Sequence, residues 1–131
     1  MKAIADTGFL VAFANRRDQY HFWALEIARQ VSEPLLSCDA VLAETAFHLG
    51  NAGIGLSFIR DGLVRPAFDL AVPRLAELAS RYAERSPDLA DICLIRMSEL
   101  YPRYHVITTD VSDFRVYRRG KREAIPLICP P

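Results

Sequence analysis

Short apolar runs of strand length recur along this chain, each separated from the next by a stretch that is long enough for a helix and patterned like one. Ala3-Ile4-Ala5 ends at Asp6-Thr7 and leads into Phe9-Leu10-Val11-Ala12-Phe13, which suits a buried strand followed by a short helix. Leu35-Leu36-Ser37-Cys38 is a second run, His105-Val106-Ile107-Thr108-Thr109 a third that ends at Asp110, and Ala124 to Ile128 a last short strand. Strands that alternate with helices join through right-handed crossovers. The expected fold is therefore α/β, with a central parallel sheet of about four to five strands flanked by helices on both sides. In such sheets function gathers beyond the carboxyl ends of the strands. Asp6 and Asp110 both fall there although they lie at opposite ends of the sequence.

The intervening segments set the helices. Asp18 is a cap for a helix to about Val31, in which Phe22, Leu25, Ile27, Ala28 and Val31 alternate with Glu26, Arg29 and Gln30. Pro34 stops it, and Asp39 caps a helix from Ala40 to Leu49 that carries Glu44 about one turn inside. Gly50-Asn51-Ala52-Gly53-Ile54-Gly55 reads as a breaker cluster, followed by a short helical piece from Leu56 to Gly62 and a weak strand from Ala67 to Leu70. Pro73 opens a helix with Leu75, Leu78, Ala79 and Tyr82, and Ser86-Pro87 precedes another from Asp88 to about Leu100, buried through Leu89, Ile92, Cys93, Ile95 and Leu100.

At 131 residues and 51% hydrophobic content, the chain is sized for one domain spanning residues 1–131. Sixteen basic residues balance sixteen acidic ones, so any contact with nucleic acid must rest on local patches. Neither a signal peptide nor a membrane span fits the sequence, which makes the cytoplasm the expected location. Cys38, Cys93 and Cys129 are odd in number and widely spaced, and read as core residues of a reducing compartment rather than as a zinc site or disulfides. Core or surface polar roles are expected for His21, His48 and His105, and core packing for Tyr20, Phe22 and Trp23.

Three acids sit in apolar surroundings. Asp6 follows an apolar strand, Glu44 shares its helix with Val41, Leu42 and Phe47, and Asp91 lies between Ala90 and Ile92. A carboxylate in such a setting needs a partner, either an arginine or a hard divalent cation held by oxygen ligands. Four segments, Asp6-Thr7-Gly8-Phe9-Leu10, Leu42-Ala43-Glu44, Asp88-Leu89-Ala90-Asp91-Ile92 and Thr108-Thr109-Asp110-Val111-Ser112-Asp113-Phe114, resemble in order and spacing the motifs of PIN domains. The run from Asp113 to Arg118 strengthens the likeness.

That resemblance implies a PIN-like three-layer nuclease domain whose clustered acids bind Mg²⁺ or Mn²⁺ and cleave RNA. Asp6, Glu44 and Asp91 fall on the family's three main acids and Asp110 on a further one, as both catalytic and metal-binding residues. Thr7, Asp88, Thr109 and Asp113 are outer-shell candidates; Asp88 is equally placed for a helix cap and Asp113 for a turn. Arg115, Arg118, Arg119, Lys121 and Arg122, interleaved with Tyr117, together with Arg16 and Arg17, are candidates for holding RNA phosphates. The compact chain resembles the toxins of the virulence-associated protein C (VapC) type, which implies a homodimer and a cognate antitoxin as partner. Other readings are a PIN-type RNA-processing nuclease that is no toxin, a non-catalytic domain binding RNA or protein, and a phosphohydrolase with Asp6 as nucleophile. The last is disfavoured because position 8 is glycine where a second acid is needed.

Overall fold

The computed structural model describes residues 1–68 and 71–131. Its strands are β1 (Ala3–Ala5), β2 (Leu35–Ser37), β3 (Val64–Pro66), β4 (His105–Ile107), β5 (Arg118–Arg119), β6 (Glu123–Ala124) and β7 (Leu127–Ile128). Five of them form one parallel sheet in the order β3-β2-β1-β4-β7. All residues of β1 and β2 are buried, as expected for strands covered on both faces, and this explains why they read as unbroken apolar runs. From β1 the chain steps outward to β2 and β3, then returns past β1 to place β4 on its other side. The switch point of the sheet therefore lies between β1 and β4, whose residues pair Ala3 with His105, Ile4 with Val106 and Ala5 with Ile107.

The helices are α1 (Thr7–Ala14), α2 (His21–Gln30), α3 (Asp39–Leu49), α4 (Ala52–Arg60), α5 (Val72–Arg81), α6 (Leu89–Leu100) and the single turn α7 (Val111–Phe114). Helix α6 packs against β1 and β4 as well as α3 and α5. Its burial is nearly all round, taking in Ala90, Ile92, Cys93, Leu94, Ile95, Met97 and Ser98. Phe9, Leu10, Leu94, Ile95, Ile107, Phe114 and Tyr117 lie at the centre of the core. No helix among the described residues is long and apolar enough to cross a membrane.

Several boundaries differ from the sequence expectation, each for a local reason. Helix α2 starts at His21, because Asp18 forms a turn in which its carboxylate accepts from the Tyr20 N–H at 2.8 Å and its carbonyl from the His21 N–H at 3.0 Å. The breaker cluster divides: Gly50, at φ 67°, ends α3 in the left-handed region, while Gly53 and Gly55 lie inside α4, which Asn51 caps through the Gly53 N–H at 2.8 Å. The third strand is Val64–Pro66, set by pairing of Val64 with Leu35, and ends before Ala67. Asp69 and Leu70, the far end of the expected strand, lie outside the described residues. The basic segment holds an antiparallel hairpin, β5 with β6, that the sequence reading missed.

Candidate metal centre

Beyond the carboxyl ends of β1 and β4 lies an open cavity of about 280 Å³, lined by Asp6, Glu44, Asp88, Asp91 and Asp110 together with Thr7, Thr109, Asp18 and His48. Each of the four principal acids comes from a different element. Asp6 ends β1 and caps α1, Glu44 projects from α3, Asp91 from the first turn of α6, and Asp110 caps α7 after β4. Of the outer candidates, Thr7, Asp88 and Thr109 line the same cavity. Asp113 does not, but one carboxylate oxygen each from Asp91, Asp110 and Asp113 lie within 4.8 Å of one another.

Donors fix the acids in place. Asp6, only 5% exposed, accepts from the Thr7 N–H on one oxygen and from the Thr108 hydroxyl on the other, both at 2.6 Å. The Thr7 hydroxyl donates to Glu44 at 2.9 Å, so one residue ties together acids from β1 and α3. The hydroxyl of the fully buried Tyr117 donates to Asp91 at 3.0 Å. Asp88 caps α6 by accepting from the Asp91 N–H at 2.8 Å, and its charge faces the cavity as well. The Thr108 hydroxyl also accepts from the Asp110 N–H at 2.9 Å. Gly8 makes room for the neighbouring threonine, since a Cβ there would stand 2.1 Å from Thr109 Oγ1.

The electrostatics show what this arrangement lacks. Among the described residues, no lysine or arginine pairs with Asp6, Glu44, Asp88, Asp91 or Asp110, so arginine compensation is not what supports the buried carboxylates. Burial raises the Asp6 carboxyl to about 6, against the hydrogen bonds from Thr108 and Thr7 and with the charges of Asp110 and Glu44. Burial, then the charges of Asp88 and Asp6, raise Asp91 to about 8. Glu44 and Asp110 are also shifted upward, chiefly by burial. The side chains lining the cavity offer carboxylate and hydroxyl oxygens and the imidazole of His48, with no thiolate, and carboxylates this crowded fit a divalent cation of the magnesium or manganese class.

Other expected residues fall elsewhere. Asp113 forms an ion pair with Arg85 at 2.7 Å. Arg119 is not free to hold a phosphate: it is 8% exposed, with its guanidinium on the Pro102 carbonyl at 2.8 Å and on Glu123 at 2.6 Å. Arg118 is half-buried and directs its guanidinium to the carbonyls of Arg115 and Tyr117. Tyr117 is fully buried against Tyr82 and Phe114, so it is a packing residue with a hydroxyl in the site and cannot stack a base. Arg16, Arg17, Arg115, Lys121 and Arg122 are exposed.

Thr108, Asp18 and His48 have places at the site that the sequence does not assign them: it puts Thr108 in a strand end, Asp18 at a helix cap and His48 in a core or surface polar role. His48 carried the clearest signal, four residues after Glu44 and thus on the same helical face.

No protein-family model and no curated protein matches the sequence. Among solved structures, the chain is similar to VapC20 of Mycobacterium tuberculosis, a sarcin–ricin-loop-cleaving toxin, at 20% identity and a TM-score of 0.71, with 95% of this chain and 100% of that one covered. Over nearly its whole length the chain thus has the three-layer fold of a VapC toxin, the PIN-type architecture that its acidic motifs imply.

Proposed function

We propose that residues 1–131 form a single divalent-metal-dependent endoribonuclease domain in which Asp6, Glu44, Asp91 and Asp110 hold Mg²⁺ or Mn²⁺. The observation that carries this reading is the set of carboxyls gathered at the switch point of the sheet with no lysine or arginine paired to them among the described residues. A cation bound there supplies positive charge beside a phosphodiester and lowers the pKa of a coordinated water. The chain's own residues do the positioning. Thr7 and Thr108 orient both oxygens of Asp6, Thr7 also orients Glu44, and Tyr117 anchors Asp91 from the core. Exposed Arg16 and Arg17, next to the cavity-lining Asp18, and Arg115, directly after α7, are the cations proposed to offset the repulsion between RNA phosphates and the acids, whereas Lys121 and Arg122 follow Gly120, whose N–H donates to Glu99 near the far end of α6.

The likeness to a toxin that cleaves the sarcin–ricin loop supports RNA as the substrate class, and a role as the toxin of a toxin–antitoxin pair in the cytoplasm. A cognate antitoxin and a second copy of the chain are the proposed partners. Phe47 and Leu56, 81% and 68% exposed on the packed pair α3 and α4, are side chains that association would cover.

The test is RNA cleavage with Mg²⁺ or Mn²⁺, with and without chelator, by the wild type and by Asp6→Asn and Asp91→Asn. Cleavage is expected to need the metal and to fall at least about 100-fold in each variant, the scale of losing a metal's charge stabilisation. Cleavage that survives chelator and both substitutions would remove the assignment.

A further inference from the structure

Outside the acidic site, a second cavity, of about 300 Å³, lies between the start of α3 and the flank of α6. Its walls include Ala43, Phe68 and Leu89, and two cysteines line it, Cys38 from the end of β2 and Cys93 from α6. Read along the sequence these are separate core residues, but the fold brings them to one opening. We propose that Cys38 and Cys93 form a redox-active dithiol, which hydrogen peroxide entering this cavity converts into an intramolecular disulfide.

The local geometry gives the two sulfurs different parts. Cys38 is the N-cap residue of α3, where the positive end of the helix favours a thiolate. In support, its thiol is pulled below the ordinary value, first by the Cys93 thiol and, against burial, by the N–H groups of Val41 and Ala40. The Cys38 thiolate attacks one peroxide oxygen and expels hydroxide, giving a sulfenic acid. The Cys93 sulfur then attacks the Cys38 sulfur, and the sulfenic oxygen departs as water with the Cys93 proton. In sum, two thiols lose two electrons and two protons, and one peroxide becomes two waters. The walls are apolar apart from Asp39 and both cysteines are buried, which favours a small neutral oxidant over a large, negatively charged disulfide such as oxidised glutathione. Cys129 lies outside this cavity. The disulfide would tie the start of α3 to α6, and its formation does not depend on the nuclease reading.

The experiment exposes the reduced, folded chain to hydrogen peroxide at neutral pH and follows free thiols, with the linkage mapped by peptide mass spectrometry. The free-thiol count is expected to fall from three to one, with Cys38 joined to Cys93, and to return to three with dithiothreitol. Cys129→Ser should keep the disulfide, and Cys93→Ala should stop at a Cys38 sulfenic acid captured by a cyclic dione. The proposal fails if the mapped bond involves Cys129, or if Cys38 and Cys93 stay reduced in the native chain under conditions that oxidise the urea-unfolded one. Mapping of the wild type decides the matter even where a cysteine variant does not fold.

Discussion

Gly8 stands where a single methyl group would meet Thr109 Oγ1, so the residue type is set by space and not by chain conformation. Gly8→Ala is expected to cost about 1 kcal/mol of stability, because the threonine can turn only partly away. Adding Thr109→Ala should recover most of that loss, and thermal melts of the two single variants and the double variant measure the coupling. The carboxyls make a prediction of opposite sign. Asp91 titrates near 8 in the fold and Asp6 near 6, so the folded state keeps protons that the unfolded chain releases near 3.8. Each group's penalty is absent below the unfolded value, grows as pH rises and is complete above the folded value. The metal-free protein is therefore expected to lose stability between about pH 4 and about 8. Asp91→Asn should flatten that slope and raise the melting temperature at pH 7 by several degrees, as measured by thermal melts in chelator. Asp6, Glu44 and Asp91 were legible as residues needing compensation because their neighbours in sequence are apolar. Thr108 and Tyr117 were not, because each reaches its acid only through the tertiary fold.

Helix α6 delivers Asp91 through its first turn, and Asp88 both caps that turn and adds charge to the cavity. The two roles separate by substitution. Asp88→Ala is expected to lower stability by about 1 kcal/mol, and Asp88→Asn, which keeps the capping oxygen, to leave the melting temperature near that of the wild type. Asp88→Asn should nevertheless weaken divalent-metal binding about 10-fold, as loss of an outer charge does, and titration calorimetry reads that difference. Helices α5 and α6, after Pro73 and the Asp88 cap, lie within a residue or two of the sequence expectation; so does α3, but its N-cap is Cys38, and Asp39, the expected cap, is its first residue. Helix α4 does not, because Gly53 and Gly55 weaken helix propensity locally, while Asn51 and packing on α3 override it. The hairpin of β5 and β6 left no alternating apolar pattern to read. Its Arg119 is held instead by carbonyls and Glu123.

On the scale of the whole molecule, the sheet order explains why acids from opposite ends of the sequence share one cavity: β1 and β4 are neighbours at the switch point. Alternation of strands and helices predicted that edge as the place of function, although it could not supply the strand order. Association is tested at the same scale. The wild type is expected to sediment as a dimer, and Phe47→Glu with Leu56→Glu as a monomer, since two charges would then have to be buried. The central claim is that Asp6, Glu44, Asp91 and Asp110 together hold a divalent cation, and it is tested most directly by titrating Mn²⁺ calorimetrically at pH 7 in buffers of different ionisation enthalpy. Because Asp91 keeps its proton up to about 8, binding should release close to one proton per site, and both binding and release should disappear in Asp91→Asn. Binding that releases no proton, or that persists unchanged in the variant, would contradict the claim.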